Sequence, residues 1–263
     1  MSALSVAVRD STTMTRRSLR RIVRYPSMTV ILVGMPVVFL LLFVYVFGES
    51  LSTGLGVGNL GRAGYADYVT PGILLVTVAA AAQGTAISVA LDMNAGLIAR
   101  FRTMPVTRSA VLTGHAVSAF VQTLLSVVVV LAVALAVGFR PTAGVGSWFG
   151  AAGVMALFTV ALTWLSVAFG LVAKTPESAS NLPMFLVLLP FLSSGFVPTG
   201  SLPGPLRWFA ENEPFTPTIE TIRGLLLGTP NGRDLALAIG WSVGITLGSF
   251  LWAQRLFDRR PTR

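Results

Sequence analysis

Cysteine is absent from the 263-residue chain. That removes disulfides, thiolate metal sites and cysteine nucleophiles together. Histidine occurs once, at His115, so a two-histidine metal motif such as H-E-x-x-H cannot be built, and no metal site is expected. Lysine also occurs once. Lys174 follows Ala173, whereas a Walker A loop ends in Gly-Lys-Ser/Thr. The chain therefore has no P-loop, and any ATP it uses must be bound by another subunit. Charge is scarce, at 11% of residues, against about 25% in an ordinary soluble domain. Disorder is excluded as well, because a disordered chain needs high charge and low hydrophobicity.

What the chain does have is apolar residues, 54% of the total, with a mean hydropathy of +0.77. This is the composition of an all-α integral membrane protein. Crossing about 30 Å of hydrocarbon takes about 20 helical residues. Uncharged stretches of that order run over 28–47, 73–91, 116–139, 148–173 and 235–254. A sixth, 182–197, has only 16 residues and carries Pro183 and Pro190, so it is expected to be short or kinked. The expected fold is thus six transmembrane helices in one membrane domain over 27–257. A cytoplasmic N-terminus (1–26) precedes it and a cytoplasmic tail (258–263) follows it. The first apolar run is longer than a signal-peptide core and no small-x-small cleavage site follows it, so it reads as a retained helix.

Orientation follows from the basic residues in the flanks. With six spans both termini share one side, and that side carries 14 of the 19 basic residues. It is the cytoplasmic side, with a net charge of +10, while the outer side is −1. The net charge of +9 is therefore a topology signal, and nucleic-acid binding is not expected.

Three extramembrane segments stand out. In 15–25, Arg16, Arg17, Arg20, Arg21 and Arg24 fall within an arc of about 140° at 3.6 residues per turn. Leu19, Ile22 and Val23 lie opposite, and Pro26 closes the segment. The pattern reads as an amphipathic helix in the membrane interface with its arginines toward lipid phosphates, or as a plain basic flank. The cytoplasmic loop around Gly96, Leu97, Arg100, Phe101, Arg102, Met104 and Pro105 places Leu97, Phe101 and Met104 on one helical face. That suits docking into another protein, or a turn whose apolar residues dip into the headgroups. In the outer segment 198–234, Phe215, Ile219, Ile222 and Leu226 follow helical spacing. Thr216 is the expected N-cap, Pro217 the first helical residue and Gly228 the stop. A short amphipathic helix beside a proline-broken span suggests a re-entrant or interfacial cap.

Other matches carry less. Gly56–Gly61 fits G-x-G-x-x-G but has no room for a βαβ unit. Gly240–Gly244 fits G-x-S-x-G, but inside a span rather than at a strand-to-helix elbow. With Gly248, Gly240 and Gly244 form a small-residue stripe suited to helix packing. No Asp, Glu, Lys or Arg lies inside the spans, which counts against a proton- or ion-driven transporter. Gln83 and Gln122 lie inside spans, either in interhelical hydrogen bonds or along a transport pathway. His115, alone at a span boundary, reads as structural. An intramembrane enzyme lacks the paired residues it would need, so no catalytic residue is expected.

The chain resembles the membrane subunits of type-2 ABC exporters, in particular the daunorubicin-resistance-like drug-export permeases. The resemblance rests on Arg24-Tyr25-Pro26, on Tyr68-Val69-Thr70-Pro71-Gly72 before the second span, and on the Gly96 to Pro105 loop. It rests also on the outer segment: Phe196-Val197-Pro198, Pro203, Pro214-Phe215-Thr216-Pro217, Glu220 and Arg223-Gly224-Leu225. Two positions depart from the family pattern: Asn94-Ala95-Gly96 opens the cytoplasmic loop, and Glu213 precedes the outer Pro-x-Thr. The resemblance implies two six-span copies, or two related subunits, forming a pathway in a bacterial cell membrane. It implies ATP and Mg bound by two partner subunits that dock chiefly on Gly96 to Pro105. The cargo would be a hydrophobic or amphipathic compound. A lipid or polysaccharide exporter has the same plan, and an ATP-independent transporter or channel is the competing class.

Overall fold

The computed structural model describes residues 26–48, 61–94, 108–173 and 175–259. The arginine-rich segment Arg16 to Arg24 and the loop Gly96 to Pro105 lie outside the described residues, as does Lys174.

Every regular element among the described residues is helical. Helix α1 (Pro26–Leu41) runs on as a wider π-turn, Leu42–Phe47. Three long helices follow: α2 (Gly61–Asn94), α3 (Arg108–Val137) and α4 (Val145–Val172). The chain then breaks into short pieces: α5 (Pro176–Asn181), α6 (Met184–Leu188) and a 3-10 turn at Leu189–Leu192. The outer segment folds as α7 (Gly204–Asn212) and α8 (Phe215–Leu227), and α9 (Gly232–Arg259) closes the fold.

Four stretches are long and apolar enough to cross a membrane: Ala63–Met93, Thr113–Val137, Val145–Val172 and Gly232–Leu256. Leu32–Phe47 and Glu177–Leu192 are shorter apolar helical stretches at the places expected for the first and fifth spans. The fifth is broken as its prolines require. Pro183 stands at the N-cap of α6, and Pro190 sits in the 3-10 turn that ends the apolar run. Its entry is set by a capping box that the sequence reading overlooked. The Thr175 side chain accepts from the Ser178 N–H, and the Ser178 hydroxyl oxygen accepts from the Thr175 N–H.

The four long helices divide into two pairs. The spanning windows of α2 and α4 are 72% and 67% buried within the chain, those of α3 and α9 only 28% and 17%. Helices α2 and α4 are therefore the interior. Helices α3 and α9 turn Leu125, Val128, Leu247 and Leu251 outward, as lipid-facing helices do. Between α2 and α4 the approach is close because Gly170 has no side chain. A Cβ there would lie 2.7 Å from the Ala86 carbonyl oxygen and 2.7 Å from the Val89 Cβ. Several buried hydroxyls on these helices bond back to the carbonyl one turn earlier, as Thr77 does to Ile73 and Thr159 to Met155, while the buried Ser166 hydroxyl of α4 has no partner among the described residues. Bonding back satisfies a hydroxyl without a partner from another helix.

Helix α2 corrects one expectation. The second span was expected to begin at residue 73, with Tyr68 to Gly72 as its lead-in. The helix instead begins at Gly61 and carries Pro71 inside it. Proline removes one helical N–H and crowds the carbonyl one turn back, but a membrane helix tolerates this when neighbours satisfy the freed groups.

Candidate functional site

One cluster of buried polar side chains, including Glu213 and Arg223, lies where α8 meets the N-terminal half of α2. Helix α8 packs against α2, α4 and α9. Its apolar stripe, Phe215, Ile219, Ile222 and Leu226, is buried, with Phe215 meeting Phe158 of α4 edge to face at 5.0 Å. The stripe is the one read in the sequence. Thr216, Thr218, Thr221 and Arg223 of the same helix are buried too. Thr218 and Thr221 satisfy themselves on the Pro214 and Pro217 carbonyls. Gly228 ends the helix in the left-handed conformation expected of it, at φ 81°.

The N-terminus of α8 is capped differently from the expectation. Thr216 lies inside the first turn and Pro214 occupies the cap position. The cap is Glu213. Its carboxylate accepts from the Phe215 N–H at 2.8 Å and from the Thr216 N–H. Glu213 is buried, and burial pushes its carboxyl up to about 7 although both N–H bonds pull the other way. The Thr216 hydroxyl, freed from capping, accepts the Ser194 N–H at 3.2 Å.

Arg223 ties three segments together. Its Nε and Nη2 both donate to the Tyr68 carbonyl, at 3.2 and 2.9 Å, and Nη2 also donates to the Ser194 carbonyl at 2.9 Å. Nη1 pairs with Glu220 one turn back on the same helix. The guanidinium lies 4.0 Å over the Tyr68 ring, a cation–π contact. The Tyr68 hydroxyl donates to the Ser194 carbonyl at 2.9 Å. Pro71 lacks the N–H that would bond to the Asp67 carbonyl four residues back, and the Tyr68 carbonyl, one residue further on, accepts from Arg223. Nearby, Gly72 and Gly195 meet backbone to backbone, and a Cβ on Gly72 would lie 2.7 Å from the Gly195 oxygen. The Ser194 hydroxyl is buried with no hydrogen-bond partner among the described residues.

Aromatic rings extend this junction toward α1. Phe196 stacks on Phe191 at 4.7 Å and tilts against Phe43 of the π-turn at 4.5 Å. On the other flank, the Arg140 N–H donates to Asp67 at 2.7 Å and the Arg140 side chain caps the Leu135 carbonyl of α3.

The remaining candidates lie elsewhere. Of the outer prolines, Pro203 is the N-cap of α7 and Pro198 that of the short 3-10 turn Thr199–Ser201. Gln83 is an interhelical bridge: its Nε2 donates to the Ser180 carbonyl at 2.9 Å and reaches the Ser180 hydroxyl at 3.3 Å. Gln122 is half-buried on α3, away from that bridge. His115 and Asp92 approach at 3.2 Å, joining the facing ends of α2 and α3. Gly240, Gly244 and Gly248 line an exposed side of α9, where an added Cβ would meet nothing within 4 Å, so they pack against no helix among the described residues. Glycines that do meet another element include Gly72, Gly170 and Gly195, with Gly150 against Leu225 of α8. No spacing pattern marks them, because each faces a partner distant in the chain.

Comparison with known proteins gives the family. The profile of the ABC-2 type transporter family matches residues 10–227. A daunorubicin resistance ABC transporter permease protein, DrrB1, of Streptomyces coeruleorubidus is 28% identical over 245 residues, covering 92% of this chain and 84% of that protein. A probable doxorubicin resistance ABC transporter permease protein, DrrC, of Mycobacterium tuberculosis (strain CDC 1551 / Oshkosh) is 25% identical over 174 residues, covering 65% of this chain and 63% of that protein.

Proposed function

The chain belongs to the ABC-2 type transporter family, and from that premise we propose that it is the six-span permease subunit of an ATP-driven exporter. Two copies, or this chain and a related one, form a pathway through the membrane. A separate subunit binds and hydrolyses ATP with Mg, and docks on the cytoplasmic loop Gly96 to Pro105. Both termini are cytoplasmic. The cargo is a hydrophobic or amphipathic compound of the kind the relatives' names describe.

One observation carries the reading: a drug-resistance permease aligns along 92% of the chain. The residue inventory supports the division of labour, since the only lysine stands outside any Walker A context. The exposed apolar faces of α3 and α9 suit lipid or a second copy. The interior pair α2 and α4 suits a scaffold around which the outer junction is built.

The deciding experiment is purification of the tagged chain from its native membranes in mild detergent, with partners identified by mass spectrometry. A stoichiometric subunit bearing a Walker A motif is the expected result. A chain that arrives alone, with daunorubicin efflux surviving ATP depletion, overturns it.

A further inference from the structure

Asp92 and His115 stand apart from the cluster around α8. We infer that they are positioning residues: their contact clasps the two helix ends that carry the connection 95–107, so that a push on the connection moves α2 and α3 as one lever. The inference rests on the reading that an ATP-binding subunit docks on Gly96 to Pro105.

The pair stands where both helices meet the membrane boundary. Asp92 is the next-to-last residue of the spanning stretch Ala63–Met93, and His115 is the third of Thr113–Val137. The His115 Nε2 lies 3.2 Å from the Asp92 Oδ2, and the two side chains are 22% and 23% exposed. Water competes weakly at such a place, so a hydrogen bond there holds more firmly than one in bulk water. Nε2 carries a proton in the imidazolium and in one neutral tautomer, so the clasp can form with the ring charged or neutral.

Asp92 is not placed to serve its own helix. It lies in the last turn of α2, where the helix dipole disfavours a negative charge. Nor does the charge pattern of the flank call for it. Asp92 is the sole acidic residue in 92–115, against Arg100, Arg102 and Arg108. What accounts for an acid here is the ring it meets on α3.

Other hydroxyls on α3 do not bind across to a neighbour. Ser118, Thr123 and Ser126 all donate to carbonyls one turn back on their own helix. Helix α3 is also the more weakly held of the two, with 28% of its spanning window buried against 72% for α2. The clasp thus hangs a loosely packed helix on the most buried one. In the same half of α2, Gln83 fastens the entry of the fifth apolar run through the Ser180 carbonyl. A displacement delivered to the connection therefore reaches the interior through Asp92 and does not merely spread the two helix ends.

The test uses the complex as it purifies from native membranes with its ATP-binding subunit. It is reconstituted in vesicles with daunorubicin as the transport probe, and ATP hydrolysis and ATP-dependent uptake are both read. His115→Leu removes the donor. It should leave the KM for ATP unchanged and lower the uptake per ATP hydrolysed by about fivefold, the weight of one partly exposed hydrogen bond to a charged group. His115→Gln offers an amide N–H near the place of Nε2 and should restore the ratio. Asp92→His combined with His115→Asp rebuilds the contact with its ends exchanged, and should exceed Asp92→His alone by about the same factor. A pair that merely stabilised the fold would change the amount of complex recovered and leave the ratio untouched.

A parental ratio in His115→Leu, equal losses in His115→Leu and His115→Gln, or an exchanged pair no better than Asp92→His alone, overturns the inference. If His115→Leu fails to accumulate, the exchanged pair against Asp92→His decides. The unsubstituted complex separates the two readings. No ATP-dependent uptake there counts against the export reading. Normal uptake there, with a parental ratio in His115→Leu, counts against the clasp alone.

Discussion

Glu213 carries the strongest electrostatic consequence at the residue scale. A carboxyl whose folded pKa is raised binds its proton more tightly folded than unfolded. The stability it contributes is therefore complete below its ordinary value of 4.5 and is lost as pH rises through about 7. At about 1.4 kcal/mol per unit, the loss approaches ~3 kcal/mol. Purified protein is expected to unfold several degrees lower at pH 8 than at pH 5. Glu213→Gln keeps an acceptor for the α8 cap but cannot titrate, so its melting temperature should be nearly flat over that range; a mutant as pH-sensitive as the parent would refute the assignment. None of this was legible in the sequence. Thr216 has the better capping propensity, but Pro214 and Pro217 fix where the helix begins, and the only side chain that reaches the first free N–H groups is one residue outside.

Among elements, legibility tracked chemistry that acts within one turn. The stripe of α8, its glycine stop and the proline-broken apolar run 182–197 could be read because periodicity and φ restriction are local. The start of α2 could not. Proline marks a helix boundary as a rule, and the contacts that hold this stretch of α2, such as Arg223 on the Tyr68 carbonyl 155 residues away, are too distant in the chain for local periodicity to register. Glycine function divides in the same way. Gly170→Ala should destabilise the chain by about 1–3 kcal/mol, because the new methyl meets a backbone oxygen on α2. Gly244→Ala should stay within about 0.5 kcal/mol, as an exposed helical position does. Thermal unfolding in detergent compares the two, and equal effects would contradict the packing described.

For the molecule as a whole, orientation and coupling are the tests. Single cysteines at Gly58 and Asn231 should react with an impermeant thiol reagent in intact cells, and one at Thr107 should not. The reverse pattern would invert the topology. Charged residues at Phe101 and Met104 together should abolish ATP-dependent efflux while leaving membrane insertion intact, measured as efflux against the amount of protein in the membrane fraction. Retained efflux would move the docking surface elsewhere.

The bond from Arg223 to Tyr68 also bears on how the protein is made. Helix α2 leaves the ribosome long before α8, with the Tyr68 carbonyl and the side chains of Asp67 and Tyr68 awaiting partners. Those partners are residues 140, 194 and 223, so α2 must remain sheltered at the insertion machinery until most of the chain has followed it. A nascent chain stopped before Arg223 is then expected to present a quality-control signal at α2, and a chain stopped just beyond α8 to escape it.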